Sequence, residues 1–303
     1  MLMQDVLKHP ARVMTPAQRE QFFEEGCGVV EGVADATWLR RLRDAMNDMV
    51  NASRTVAKDD GRFVLEEGHS PETPRLRRLS SPVTHHPTFW EFASESRSAD
   101  LAADLCGPDV KFFHSKLNFK WPKGGHKFDW HQDIPAWPHT DYSPVTIGLL
   151  MEDCDEAQGP LLAIRGSHKP PMHSMYDKEG NWTLKIPEDE LPQGWRDDVI
   201  SLTGPAGSAV LINCRVIHGS SANKSDKMRP LLLNVYSSAD SMPYSANPIP
   251  SPYQGQIVRG KPARFSCHDP RGCELPPDWS KAGYSGPWSH QTTGLKAAAG
   301  GGY

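Results

Sequence analysis

The sequence predicts a mainly β fold, a sandwich or barrel, framed by α-helices on its N-terminal side. Three observations predict it. Beyond residue 107 the chain breaks into short apolar runs of strand character, separated by turn residues and with few helical periods between them. Before that point, apolar residues recur at helical spacing. The 27 prolines and 25 glycines, with 38% hydrophobic residues, require much loop, and neither is arranged in a repeat. A chain of 303 residues can bury a sizeable core. We expect one domain over 1–303, helical to about 107, a β core over about 108–240, and an irregular segment over 241–303.

The elements follow in order. Thr15-Pro16-Ala17-Gln18 has the chemistry of a helix start, with Thr15 as N-cap and Pro16 at the first helical position. Phe22 and Phe23 give that helix an apolar side before Gly26. A second helix is expected from Ala36 to Val50, where Leu39, Leu42, Met46 and Met49 recur. Residues 51–84 read as polar and irregular, and residues 89–105 as one helix ended by Gly107-Pro108. Strands are expected at 110–121, 145–151, 161–164, 209–212 and 231–236. The polar insert 169–199 reads as a loop or lid, and the terminal AAAGGGY as a disordered tail.

Composition narrows the function. The formal charge is −4 and the pI near 6.3, with basic residues scattered, which argues against a nucleic-acid surface. The densest basic cluster, Arg75, Arg77 and Arg78, is either a solvated face or an anion-recognition patch for the substrate. Six cysteines are spread without a CxxC pair, as in a cytoplasmic protein with reduced thiols. MLMQDVLKHPARVM lacks the apolar run of a signal peptide, and no stretch approaches the ~18–20 apolar residues of a membrane span. The expected partner is a small-molecule substrate, with neither nucleic acid nor membrane; no pattern in the chain indicates an oligomeric state.

One stretch, FDWHQDIPAW, suggests a metal site. With 13 histidines and 22 aspartates in 303 residues, about one His-x-Asp arises by chance, and the chain has two: His131-Gln-Asp133 and His139-Thr-Asp141. Context separates them. In a strand, residues two apart project to one face, so His131 and Asp133 can offer an imidazole and a carboxylate to one ion. His139 stands among Trp137-Pro138 and Tyr142-Ser-Pro144, which is loop chemistry. A 2-His-1-carboxylate ferrous site needs one more histidine. GSAVLINCRVIHGSSANKSDKMR supplies His218 just after an apolar strand, and Arg229 follows eleven residues later, where a guanidinium can take a carboxylate bidentately.

These segments resemble the phytanoyl-CoA dioxygenase family of Fe(II)/2-oxoglutarate oxygenases over roughly residues 15 to 240. TPAQREQFFEEGCGVV resembles its N-terminal helix and strand, KLNFKWPKGG…WHQD the approach to the metal motif, QGPLLAIRGSHK its Asn-Gly-x-Leu…Pro-Gly-Ser-His segment, and GSAVLINCRVIHGSS…R its distal histidine and cosubstrate arginine. The chain departs from the family at Gln158, often Asn, and Arg165, often Pro. It also lacks the longer signature of the ectoine hydroxylases after WHQD.

The resemblance implies a double-stranded β-helix, a cupin-like jelly roll, in which His131, Asp133 and His218 hold Fe(II). It implies that 2-oxoglutarate chelates the metal while Arg229, helped by Ser220, holds its distal carboxylate, and that O2 is the oxidant. By position Lys116 matches a family residue near the cosubstrate, with Asn118 on the same strand face; an exposed strand lysine is the alternative for Lys116. The implied reaction is hydroxylation of a C–H bond of a small or medium polar metabolite or natural product, with release of succinate and CO2. Trp137, His139, Arg75 and Arg78 are candidates for substrate contact, against loop packing for Trp137 and a plain loop position for His139. Two other classes stay open: a catalytically silent jelly-roll binding protein or sensor, and a hydrolase using zinc on the same three ligands. The second leaves Arg229 and Ser220 without an evident role.

Overall fold

The N-terminal third is helical because its caps and apolar spacing make it so. In a computed structural model of the protein, which describes residues 3–122, 125–282, 287–293 and 295–296, a short helix α1 (Met3–Val6) precedes α2 (Pro16–Glu25). Thr15 and Gln18 close a reciprocal capping box at the start of α2, and Gly26 ends it in the left-handed region at φ 80°. Strand β1 (Cys27–Val30) follows, then α3 (Ala36–Ala52), N-capped by Asp35. Leu39, Leu42, Met46 and Met49 are buried along one side of α3.

Two expectations need correction here. Residues 51–84 are not irregular: β2 (Phe63–Leu65) and β3 (Leu76–Ser80) pair with each other, and the short helix α4 (Pro82–His85) follows. The helix expected over 89–105 is two helices, α5 (Pro87–Glu95) and α6 (Arg97–Cys106). The break is at Ser96, whose extended backbone lets its hydroxyl cap the amide of Ser98 while its own amide closes α5 on Phe92.

The remaining strands are β4 (Val110–Lys120), β5 (Phe128–His131), β6 (Val145–Leu150), β7 (Leu161–Ile164), β8 (Asn181–Trp182), β9 (Val199–Leu202), β10 (Ala209–Asn213), β11 (His218–Ser220), β12 (Arg229–Ser238), β13 (Ile257–Arg259) and β14 (Leu295–Lys296). They form a large antiparallel sheet in the order β1-β10-β6-β12-β4-β3-β2, with β13 on β4, and a smaller one in the order β5-β11-β7-β9. The helices α7 (Trp279–Ala282) and α8 (Pro287–Thr293) close the described chain, and β14 pairs with β8. Two facing antiparallel sheets make the jelly roll. No helix among the described residues is long and apolar enough to cross a membrane.

The strand period of two sorts the large sheet into two faces. Leu117 of β4, Ile147 and Leu149 of β6, and Leu232 and Tyr236 of β12 pack with Leu42, Phe92 and Leu101 of the helices. The alternate residues Leu150, Leu231 and Leu233 pack toward Ala163 and Leu202 of the small sheet. Lys116, Asn118 and Lys120 share that inner face of β4, where a cavity opens between the sheets. The insert 169–199 is not merely a polar loop: Met175, Trp182, Leu184 and Ile186 are buried in a cluster with Trp137 and Trp279. The AAAGGGY tail lies outside the described residues.

One glycine bears directly on the site. Gly219 lies in β11 between His218 and Ser220, and a Cβ there would sit 2.6 Å from the Phe128 carbonyl oxygen of β5. The β5–β11 register shifts at this point, so the backbones must approach closely. Gly219→Ala is expected to push β5 away from β11, costing about 1–3 kcal/mol of stability in urea unfolding and weakening metal retention with it.

Candidate metal centre

His131 ends β5 and His218 begins β11, and the two are register partners. Directly paired residues on one face of a sheet bring their side chains together, and the two imidazole centroids are 4.1 Å apart. Each ring is fixed in the same way. His131 Nδ1 lies 3.0 Å from the Asp129 carbonyl oxygen and His218 Nδ1 3.0 Å from that of Val216. A carbonyl only accepts, so each Nδ1 carries the proton and each Nε2 presents a lone pair.

Asp133 completes the group. It lies just beyond β5, in helical conformation at the head of a 3₁₀ turn, Ile134–Ala136, so the pair with His131 does not share a strand face as expected. The turn is pinned by the Ile134 amide on the Cys214 carbonyl, 2.9 Å, and by buried Gln132, which donates to the Arg215 carbonyl and accepts from the His173 amide. One carboxylate oxygen, Oδ1, is 3.8 Å from His131 Nε2 and 3.9 Å from His218 Nε2, while Oδ2 accepts from the Thr146 hydroxyl at 3.1 Å. The candidate ligand atoms of His131, Asp133 and His218 all lie within 4.8 Å of one another.

The protonation states suit a cation. Burial, with His218 alongside, pushes His131 down to about 3, and burial lowers His218 as well, so both rings are neutral at pH 7. Burial works most strongly against the Asp133 charge, but the Lys116 ammonium, His218, His131 and the Thr146 hydroxyl together outweigh it and hold the carboxyl below its usual range. Two neutral imidazole nitrogens and one carboxylate, with cavity on their open side, are the donor set of a facial 2-His-1-carboxylate site. The residues fit Fe(II).

The cavity between the sheets, about 70 Å³, brings most of the predicted residues together: His131, Asp133, His218, Ser220, Arg229, Lys116, Asn118, Trp137 and Arg78 all line it. Arg229 is 3% exposed. Its Nη2 donates to the Gly159 carbonyl at 2.9 Å, and its Nε and Nη1 have no hydrogen-bond partner among the described residues. Burial pushes it down only to about 10, so it stays charged at pH 7. Ser220 stands two residues beyond His218 on the same strand.

Two candidates lie elsewhere. His139 does not line the cavity; its Nδ1 bonds the Trp137 carbonyl at 2.7 Å and its ring packs edge-on to Phe113. Arg75 is on the outer surface, its guanidinium 5.8 Å from the centre of the Trp121 ring. In β3 the side chains alternate, so Arg75, outside the strand, and Arg78, within it, part company.

The structure adds residues that sequence reasoning missed. Thr146 is a polar position inside an apolar strand, a signal that was readable. Lys120, opposite Arg229 across β4 and β12, donates to the Ser221 carbonyl, and burial with Arg229 nearby pushes it down to about 6. Trp288 of α8 closes one wall, edge-on to Phe128 at 5.7 Å and 4.6 Å from the Arg78 guanidinium. Nothing in the Pro- and Gly-rich tail distinguishes that tryptophan.

Comparison with known proteins places the chain in a family. The family model for phytanoyl-CoA dioxygenase matches residues 22–231. The chain is 27% identical to a probable alpha-ketoglutarate-dependent hypophosphite dioxygenase of Stutzerimonas stutzeri, over 87% of this chain and 91% of that protein. It is 31% identical to an L-proline trans-4-hydroxylase of Streptomyces griseoviridis, over 71% of this chain and 82% of the other. EctD from S. alaskensis, solved with 2-oxoglutarate and 5-hydroxyectoine, superposes with a TM-score of 0.63 at 22% identity, covering 89% of this chain and 93% of that one.

Removing the hydroxyl that orients Asp133 isolates the second layer of the site. Thr146→Val is expected to lower Fe(II) affinity about 10–100-fold while the protein stays folded, measured by metal titration under anaerobic conditions.

Proposed function

The chain belongs to the phytanoyl-CoA dioxygenase family and is an Fe(II)- and 2-oxoglutarate-dependent dioxygenase; on that premise we propose that His131, Asp133 and His218 hold the iron and that Arg229, with Ser220, holds the distal carboxylate of 2-oxoglutarate. The observation that carries this assignment is the convergence of two Nε2 lone pairs and one carboxylate oxygen on a cavity that also contains a buried arginine with two unmet donors.

Iron and 2-oxoglutarate, once bound, would supply the oxidation, one oxygen atom of O2 going to succinate and the other to the hydroxylated product, with release of CO2. The protein's residues do the rest. The Asp129 and Val216 carbonyls hold the two imidazoles in one tautomer and one orientation. Thr146 fixes the free oxygen of Asp133. Arg229 is held by the Gly159 carbonyl, and its remaining donors would take the distal carboxylate. Trp137, Phe128, Leu184 and Trp288 wall the cavity and exclude water from the reacting centre.

The substrate is a small polar metabolite. The relatives described above are named for hypophosphite and L-proline, both small and polar, which supports that scale of substrate over an acyl-CoA. The enzyme works in the cytoplasm, a reading supported by reduced cysteines: all six are unpaired.

The reading is tested by mixing the protein anaerobically with Fe(II) and 2-oxoglutarate, where a weak visible charge-transfer band is expected. His131→Ala should abolish iron binding and the band, and His139→Ala should retain both; the opposite result would move the metal site to the second His-x-Asp motif. Arg229→Gln should keep the iron but weaken 2-oxoglutarate binding by about tenfold or more, read from the 2-oxoglutarate dependence of the band.

A further inference from the structure

A buried arginine outside the active cavity repeats the signature of Arg229. Arg215, in the turn between β10 and β11, is 5% exposed. Its Nη2 donates to the Pro170 carbonyl, and its Nε has no hydrogen-bond partner among the described residues. No carboxylate lies within ion-pair reach of it among those residues. Arg19 shows how a structural arginine is buried. At 4% exposure it gives Nε, Nη1 and Nη2 to the carbonyls of Asp104, His9 and Val6, at 3.0, 2.8 and 2.7 Å. Arg215 by contrast is a guanidinium taken out of water with a donor unmet, which costs free energy until an acceptor meets it.

Arg215 lines a cleft of about 480 Å³, in the size range of small-molecule sites, that shares no lining residue with the cavity of the triad. The Arg215 guanidinium is 4.6 Å from the centre of the Tyr142 ring, and the Arg271 guanidinium 4.7 Å from it. Arg271 is met by Asp269, which its Nε and Nη2 grip at 2.8 and 2.7 Å, and Lys169 pairs with Glu24. Glu274, the one carboxylate in the described lining, accepts from the Ser174 hydroxyl at 2.8 Å. Arg215 is thus the cation of the cleft left without a counter-charge. A neighbouring cavity of about 270 Å³ shares Tyr142, Arg215 and Arg271, but its lining adds Asp141 and Asp269, carboxylates that repel an anion.

The cleft also reaches the metal turn. Gln132, between His131 and Asp133, donates to the Arg215 carbonyl and accepts from the His173 amide at 3.0 Å, and His173 and Pro135 are in the cleft wall. The Ile134 amide holds the carbonyl of Cys214, next to Arg215, at 2.9 Å. A ligand that fixes Arg215 and the 170–173 segment orders the same backbone that presents Asp133.

We propose that this cleft is an effector site for a small oxyanion, a carboxylate or a tetrahedral anion of the sulfate and phosphate kind, anchored by Arg215, and that its occupancy tightens iron binding through Gln132. The coupling rests on the assignment of iron to His131, Asp133 and His218; the anion site does not.

The test uses the protein loaded anaerobically with Fe(II) and 2-oxoglutarate, titrated by calorimetry with acetate, sulfate and the neutral acetamide. Acetate or sulfate should bind at one site per chain, the tighter of the two telling a carboxylate source from a tetrahedral one, and acetamide should not bind. Arg215→Gln should weaken that binding by about tenfold or more, while the charge-transfer band and its 2-oxoglutarate midpoint, the folding control, are kept. If Arg215→Gln loses the band, Arg215→Lys decides: it keeps the charge but not the planar fork, and should bind the anion more weakly than the unmodified protein. The bound anion should raise Fe(II) affinity by about fivefold or more in the unmodified protein and leave it unchanged in Arg215→Gln, measured by competition with a ferrous chelator. Four results overturn the inference: neither anion binds to protein that shows the band, acetamide binds as tightly as acetate, Arg215→Gln binds the anion undiminished, or the bound anion leaves Fe(II) affinity unchanged. Absence of the band in the unmodified protein overturns the iron assignment, whereas a band without anion binding overturns this inference alone.

Discussion

The register that sets His218 opposite His131 is the constraint on which the rest of the site depends. Strand pairing repeats every two residues, so a slip of one residue in β11 would turn one imidazole away from the cavity. The register alone leaves each ring free to turn, and the backbone removes that freedom through the carbonyl two residues upstream of each histidine. The third ligand comes under the control of the opposite sheet, because Thr146 belongs to β6 and Asp133 to the turn after β5. The donor set is therefore stapled across the jelly roll, and packing between the sheets through Leu150, Leu231, Leu233, Ala163 and Leu202 sets its spacing as much as any one hydrogen bond does.

A buried arginine needs a reason to be tolerated. Arg229 meets one acceptor, the Gly159 carbonyl, and Gly159 has the conformation to offer it: φ is +71°, and a Cβ there would be 2.7 Å from the Ser221 carbonyl oxygen. No other residue type would let these turns approach so closely. One acceptor is not enough to offset the desolvation of a guanidinium. A buried guanidinium of this kind is held at a cost in stability, and a ligand that brings negative charge offsets it, which is how binding energy and fold stability become linked.

Much of this was legible in the sequence. The strands after residue 107, the Thr15 and Pro16 helix start, and the grouping of His131, Asp133, His218 and Arg229 follow from local patterns whose physics is local: period, caps and ordered spacing. What was not legible depends on tertiary contact. The Ser96 break is hidden because Phe89–Leu105 has a helical apolar period throughout, and only the side-chain cap interrupts it. The strand β3 is hidden because its sequence, LRRLS, is polar by composition, yet Arg78 is buried in it against Asn118 and Trp288. His139 is close in sequence to the site and still misses the cavity, because the Ile134–Ala136 turn redirects the chain.

The strand carrying His131 raises a last question, since β5 is the edge of the small sheet and an edge strand leaves backbone groups unpaired. Two distant segments cover it. The Ile186 amide, from the insert, donates to the Trp130 carbonyl at 2.8 Å. Gln291 of α8 accepts from the Asp129 amide at 3.1 Å and donates to the Leu184 carbonyl at 3.0 Å. The same short helix carries Trp288 into the cavity wall, and Trp279 ahead of it donates to the Ala136 carbonyl in the turn after Asp133. Asp129 is the residue whose carbonyl orients His131. The insert and the C-terminal segment, the two parts of the chain with the weakest periodicity, thus meet at the backbone of the metal strand. Their irregularity has a physical reason. Satisfying an edge and walling a small cavity takes single residues placed from outside, where a repeating element would add another strand and move the edge rather than close it.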